Sequence, residues 1–229
     1  MLWAAPAQAA EPFPAKPVNL VTAFAPGSGP DAVLRLVGDK LGKAWNQRVT
    51  IDNKPGGGGF IAIEAVRRAP ADGTTLLQLD SEHLAALPHL YKVSQLFTGV
   101  GSGDVAWSFG SIPSSAGAYK AGKLRYLAVA AAKRIPQLPE VPTMAEAGGP
   151  PLEVNSFVVL VAPRGLPVAV RNQIHADVAK AIAEPDIQAR FQTFAFETLA
   201  WSPEEIEKQA AAKSKVYADL VRRKSISLD

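Results

Sequence analysis

The groups in this sequence best suited to chemistry are backbone amides in two glycine-rich turns, Pro26-Gly27-Ser28-Gly29-Pro30-Asp31 and Pro55-Gly56-Gly57-Gly58-Gly59-Phe60. Glycine permits the backbone conformations of a tight turn and lets a ligand approach the N–H groups. Where such a turn leads into a helix, those amides and the positive end of the helix dipole favour an anion. Gly27-Ser28-Gly29-Pro30-Asp31-Ala32 also fits G-x-G-x-x-A after a strand, and Asp52 falls about where a ribose-binding acid would stand, so a dinucleotide-binding oxidoreductase is one reading. Against it, Pro26 and Pro30 stiffen the stretch that would approach a pyrophosphate. Asp52 also runs straight into a second glycine turn, for which that fold has no use.

A second cluster, Asp80-Ser81-Glu82-His83, offers acid/base groups for a hydrolase reading. Its simpler use is to cap the start of a helix, since carboxylates and hydroxyls there accept from free amides. No serine lies in G-x-S-x-G, and the three histidines lack ligand spacing, so neither a nucleophile elbow nor a metal site is expected.

These groups need a frame. Residues 18–24 and 48–52 are short, β-branched runs, as strands buried in a parallel sheet should be. Val33, Val37, Leu41 and Trp45 recur at helical spacing, so the order strand, glycine turn, helix occurs with helices at 31–45 and 60–69. Both turns then sit at the carboxyl edge of one sheet. A third strand follows at 74–79, with a short helix at 81–90 capped by Ser81. Beyond it the pattern predicts a helix at 94–100, a strand at 104–109, a helix at 113–121 and a strand at 124–129. Residues 153–161 read as a strand long enough to cross between two lobes. Helices follow at 167–183, with a solvent-side His175, and after Ser202-Pro203-Glu204-Glu205, which carries a capping box.

The chain of 229 residues is 48% hydrophobic and 20% charged, an ordinary globular composition. Its net charge of +3 is scattered, which gives nucleic acid binding little support. With no cysteine it has no disulfide or thiolate site. Met1-Leu2-Trp3-Ala4-Ala5-Pro6-Ala7-Gln8-Ala9-Ala10 reads as the remnant of a secretory signal with a small-x-small cleavage site, and so predicts export.

Six blocks carry a resemblance: Phe13-Pro14-Ala15-Lys16-Pro17-Val18, Phe24 to Asp31, Asp52 to Gly59, Ala71 to Leu77, Lys120 to Arg125, and Leu138-Pro139-Glu140-Val141-Pro142-Thr143. Together, and in order, they resemble the Bug family, the TctC-type extracytoplasmic solute-binding proteins of tripartite tricarboxylate transport. The resemblance implies a periplasmic, two-lobed α/β binding protein, with a parallel-type sheet flanked by helices. It implies delivery of a small mono-, di- or tricarboxylate to membrane components of a transporter, with neither catalysis nor a cofactor. It further implies a ligand site from Pro26, Gly27, Ser28, Gly29 and Asp31 in the first turn and Gly57, Gly58, Gly59 and Phe60 in the second. Asp80 and Ser81 follow the third strand, and Phe109, Gly110, Ser111, Ser156 and Phe157 come from the second lobe.

The departures from the family pattern are equally informative. Only residues 93–102 stand where the family has several elements of the second lobe, an apparent internal deletion. The expected division is therefore a signal remnant at 1–10, a first lobe from 11–92 with 153–229, and a shortened second lobe at 93–152. Gly110 replaces an aspartate, and Asp80 with Glu82 puts negative charge where the family has small or hydroxyl residues. Binding by the intact first lobe thus competes with reuse of the scaffold as an enzyme or with decay. Unmatched apolar surface would also favour self-association.

Overall fold

Four short runs rich in apolar residues find one another as a sheet, because the backbone groups of each stay unpaired until a neighbour is added. They are β1 (Val18–Thr22), β2 (Val49–Asn53), β3 (Thr75–Asp80) and β4 (Val158–Val161), in spatial order β2-β1-β3-β4. A computed structural model describes residues 13–56, 59–81, 83, 112–151 and 156–224. β1 runs parallel to β2 and β3, with Leu20 opposite both Ile51 and Leu76, while β4 runs antiparallel to β3. Alternation divides the core. Val18, Leu20 and Leu76 pack with Leu34 and Ile174, whereas Val21, Leu77 and Leu79 pack with Ala62 and Val66.

The helices among the described residues are α1 (Gly29–Trp45), α2 (Phe60–Arg67), α3 (Ile112–Lys120), α4 (Val168–Ile182), α5 (Pro185–Thr193) and α6 (Pro203–Lys224). α1 is set at both ends: Ser28 is its N-cap, and Asn46 closes it in the left-handed region at φ 48°. Its Val37 and Leu41 meet Ala181, Ile187 and Phe191, so α4 and α5 lie along it. At the rim of that contact Trp45 Nε1 donates to Asp177 at 2.6 Å, and Lys40 reaches both Asp186, at 2.9 Å, and Glu184. No helix among the described residues is long and apolar enough to cross a membrane.

A smaller apolar cluster stands apart from the sheet. Val129, Leu138 and Val141 form it, with Ile112 and Tyr119 of α3 packed against them. Tyr119 and Tyr126 stack with ring centres 4.6 Å apart, and the Tyr126 hydroxyl lies 2.9 Å from Ser115 Oγ.

Several expectations need correction. Residues 124–129 are not a strand: a strand needs a ladder, and this segment makes one isolated bridge, Val129 to Thr143. The strand expected at 153–161 is observed over Val158–Val161, where β3 supplies partners; 152–155 lie outside the described residues. His175 is half-buried rather than simply solvent-side: its Nε2 donates to the Trp201 carbonyl at 2.9 Å and ties α4 to the start of α6. The expected capping box is present in part, with Glu205 N donating to Ser202 Oγ at 3.2 Å. The predicted helix at 94–100 and strand at 104–109 lie outside the described residues.

Leu41, fully buried between α1 and α5, is expected to cost about 2–5 kcal/mol when cut to alanine. Val216→Ala, at a side chain 64% exposed on α6, should stay within about 0.5 kcal/mol. Urea midpoints of the two variants check the contrast.

Candidate functional site

Because β1, β2 and β3 are parallel, their carboxyl ends share one edge, and each is followed by a segment expected to hold a ligand. Thr22, Asn53 and Asp80 mark those ends. Two buried polar side chains fasten the edge: Thr22 Oγ1 donates to Gln78 Oε1 at 2.7 Å and accepts from Phe24 N, while Gln78 Nε2 donates to the Pro30 carbonyl. These bonds hold the first turn down on the sheet.

The first turn is organised by Asp31. Its side chain is buried, and a buried carboxylate must be surrounded by donors. Oδ2 accepts from Gly27 N at 2.8 Å and Arg35 Nε at 3.1 Å; Oδ1 accepts from Asn53 Nδ2 at 2.7 Å and lies 3.0 Å from Arg35 Nη2. Arg35 Nη2 also donates to Asn53 Oδ1, which closes the network. Burial pushes the Asp31 carboxyl up, but hydrogen bonds from Arg35, Asn53 and Gly27, with the Arg35 charge, outweigh it and hold it below its ordinary value.

This arrangement corrects the expectation that the first turn presents open amides. Gly27 N–H is taken by Asp31, Ser28 N donates to the Ala25 carbonyl, Pro30 has no N–H, and Asp31 N donates to Ser28 Oγ. Among the described residues, the Gly29 amide, at the buried first residue of α1, is the donor of the turn without an acceptor. It also argues against the dinucleotide reading, in which Gly27 would meet a pyrophosphate, and Asp52 is paired with Lys54 at 3.0 Å.

At the end of β3 the capping group is Asp80 rather than Ser81. Asp80 Oδ1 accepts from His83 N at 3.0 Å and also makes a close contact with His83 Nδ1. The imidazole lies against Gly59, where an added Cβ would fall 2.2 Å from His83 Cδ2, and Gly59 has φ +85°. Only glycine fits there. The Phe24 ring meets the same imidazole edge-on with centroids 5.8 Å apart. Asp80 is thus turned towards His83, which answers the charge conflict that the sequence raises.

Ser81 is buried; its N donates to the Phe157 carbonyl at 2.8 Å, and its Oγ accepts from Phe157 N and lies 3.3 Å from Ser156 Oγ. Phe157 is buried too, its ring packed edge-on against Trp201. The edge therefore gathers Pro26, Gly27, Ser28, Gly29 and Asp31, and places Gly59 beside the end of β3. It joins Ser81 to Ser156 and Phe157. Gly59 N donates to the Gly56 carbonyl, and Phe60 is the first residue of α2. Gly57, Gly58, Phe109, Gly110 and Ser111 lie outside the described residues. Sequence reasoning had not placed Arg35, Asn53 or Gln78 here, and had weighed His83 only in an acid/base cluster with Asp80. The i,i+4 spacing of Asp31 and Arg35 in the first turns of α1 was the available signal for that pair; nothing local announced Gln78.

Since the Asp31 carboxyl is depressed in the fold, its stabilising effect is full above the unfolded value of about 3.9 and is lost as pH falls through the folded value. Asp31→Asn turns an NH2 towards groups that are themselves donors and should cost about 2–3 kcal/mol at pH 7. The gap from the unsubstituted protein should narrow below about pH 4, as measured by urea unfolding at several pH values. A gap that does not change with pH would remove Asp31 from the role given to it.

Comparison with known proteins places the chain in a family and a fold. A model of the tripartite tricarboxylate transporter family receptor, TctC, matches residues 33–96 and 93–226. The UPF0065 protein of the tcbD-tcbE intergenic region of Pseudomonas sp. strain P51 is 27% identical over 279 aligned positions, covering 86% of this chain and 83% of that protein. Those 279 positions exceed the 229 residues of the whole chain, so the relative carries residues with no counterpart here. The two family segments meet at residues 93–96, where the sequence blocks fall short. An R. palustris protein solved with adipate superposes at TM-score 0.81 and 22% identity, over 92% of this chain and 97% of that one. MatC of Rhodopseudomonas palustris with bound malate does so at 0.74 and 21%, over 91% and 100%. At such identities the likeness is one of fold, that of periplasmic binding proteins. With the family model matched along most of its length, the chain belongs to the TctC family of tripartite tricarboxylate transporter receptors.

Proposed function

We propose that this protein is a periplasmic receptor that captures a small carboxylate at the carboxyl edge of its sheet and presents it to a tripartite tricarboxylate transporter. The observation that carries the reading is the convergence of the Gly29 amide, Gly59 at the start of α2, and the Asp80–His83 segment on one sheet edge. Family membership and the adipate and malate held by proteins of the same fold support it. Fixed amide dipoles would replace the hydration of the anion, and closure of a second lobe would exclude water. In this reading residues 11–92 and 153–229 make the first lobe, and 93–152 the shortened second lobe, whose small cluster around Val129 is separate from the sheet.

A thermal melt with adipate, malate, citrate or acetate at millimolar concentration tests the proposal. A ligand present at about 100 times its Kd adds about 2.7 kcal/mol to the native state and raises the midpoint. Ser28→Asp keeps a capping oxygen but sets a negative charge beside Gly29, so the responding carboxylate should bind at least about tenfold more weakly with the ligand-free midpoint retained. A midpoint that none of the four compounds moves overturns the reading.

A further inference from the structure

β2 is an edge strand: among the described residues β1 lies on one side of it and no strand on the other. Val18 N donates to the Arg48 carbonyl and Lys54 N to the Thr22 carbonyl, so residues 48, 50, 52 and 54 turn their backbone groups to β1. The N–H and C=O groups of Val49, Ile51 and Asn53 point the other way, with no partner among the described residues. Proteins blunt such an edge with proline, a bulge or a covering element. Among the described residues Val49–Asn53 has none of these, and it pairs with β1 residue for residue. The Val49 and Ile51 side chains lie on the α1 face, against Gly38, beside a groove of about 500 Å³ that Gly42, Lys43 and Arg48 also line. Thr50 lies on the other face, where its Oγ1 donates to Asn19 Oδ1.

We propose that β2 is a self-pairing strand, and that two copies of this chain join antiparallel along it, about a two-fold axis at Thr50. Side chains choose the register. With the axis there, Val49 stands opposite the partner's Ile51, Thr50 opposite the partner's Thr50, and Arg48 opposite the partner's Asp52. Each is a favourable cross-strand pair, and the first and last occur twice. Arg48 is exposed and has no carboxylate partner among the described residues; Asp52 is half-buried and already meets Lys54 on its own strand, so a partner's guanidinium completes a charge network. An axis at Ile51 would set Arg48 against Lys54, one at Asp52 would bring two aspartates together, and one at Val49 would move Asp52 past the end of the partner's strand. A two-fold contact also closes on itself, whereas β2 of one copy on β4 of the next would grow without limit. The antiparallel axis sets the carboxyl edges of the two sheets at opposite ends, so each copy keeps its own. The proposal is therefore independent of the receptor reading.

Sedimentation equilibrium of the full chain tests it between about 5 and 500 µM, since a small, polar interface belongs at the weak end of the affinity range. The mass should rise from 24.2 kDa towards twice that value. Arg48→Glu and Asp52→Arg, each of which sets like charges opposite one another twice, should weaken the dimer at least about tenfold, and the two together should restore it to within about threefold. The chain has no cysteine, so a single introduced one reports only itself. Thr50→Cys should form a disulfide dimer on oxidation, because residues facing each other at such a position stand about 4.5 Å apart at Cα. Val216→Cys, exposed on α6, should not. A mass of 24.2 kDa at every concentration overturns the proposal, as does a dimer that both charge reversals leave intact. A monomer whose β2 amides resist hydrogen exchange until residues 1–12 are removed gives the edge to that segment and overturns it too.

Discussion

A carboxylate inside a protein has to be met by donors, and the carboxyl edge of this sheet is built around meeting the one on Asp31. Arg35 reaches it from one helical turn further on, Asn53 from the end of β2, and Gly27 from the turn itself. One group thereby ties α1, β2 and the loop after β1 into a single rigid corner. Removing only one side of such a network leaves buried donors unmatched, which is why its members act as a unit. Thr22 and Gln78 extend the corner to β3 without adding charge.

That corner changes how the glycine turn should be understood. Glycine-rich turns before helices are usually read as open cradles, yet here the acid is internal and occupies the place a ligand would take at Gly27. The turn is preorganised by its own aspartate, so its shape does not depend on a bound anion. In the receptor proposed above, what would remain for a solute is the periphery: Gly29, the glycine turn before α2, and the side chains that follow β3.

Much of the frame was legible in the sequence. The two strand-turn-helix units and the start of α6 at Ser202 follow from local chemistry that the fold does not contradict. The family blocks were legible for the same reason, since they are the turns. The site was less so. Whether the Asp31 side chain points to solvent or to Gly27 depends on Asn53, twenty-two residues away, and on Arg35 being free to swing back. The apolar run 124–129 has the composition of a strand but no ladder to join, and propensity without partners does not make one. His83 stood out in the sequence only beside Asp80, because its contacts with Gly59 and Phe24 come from two other parts of the chain.

β4 returns to lie directly beside β3, antiparallel, with Asp80 opposite Val158. Among the described residues between them, 112–151 stand outside the sheet, so the chain leaves at β3 and comes back to the neighbouring position, like an excursion hung from two adjacent pegs. Shortening it alters neither strand order nor register, and closing a shorter loop is entropically no harder. The frame can therefore lose part of that excursion without being asked to refold.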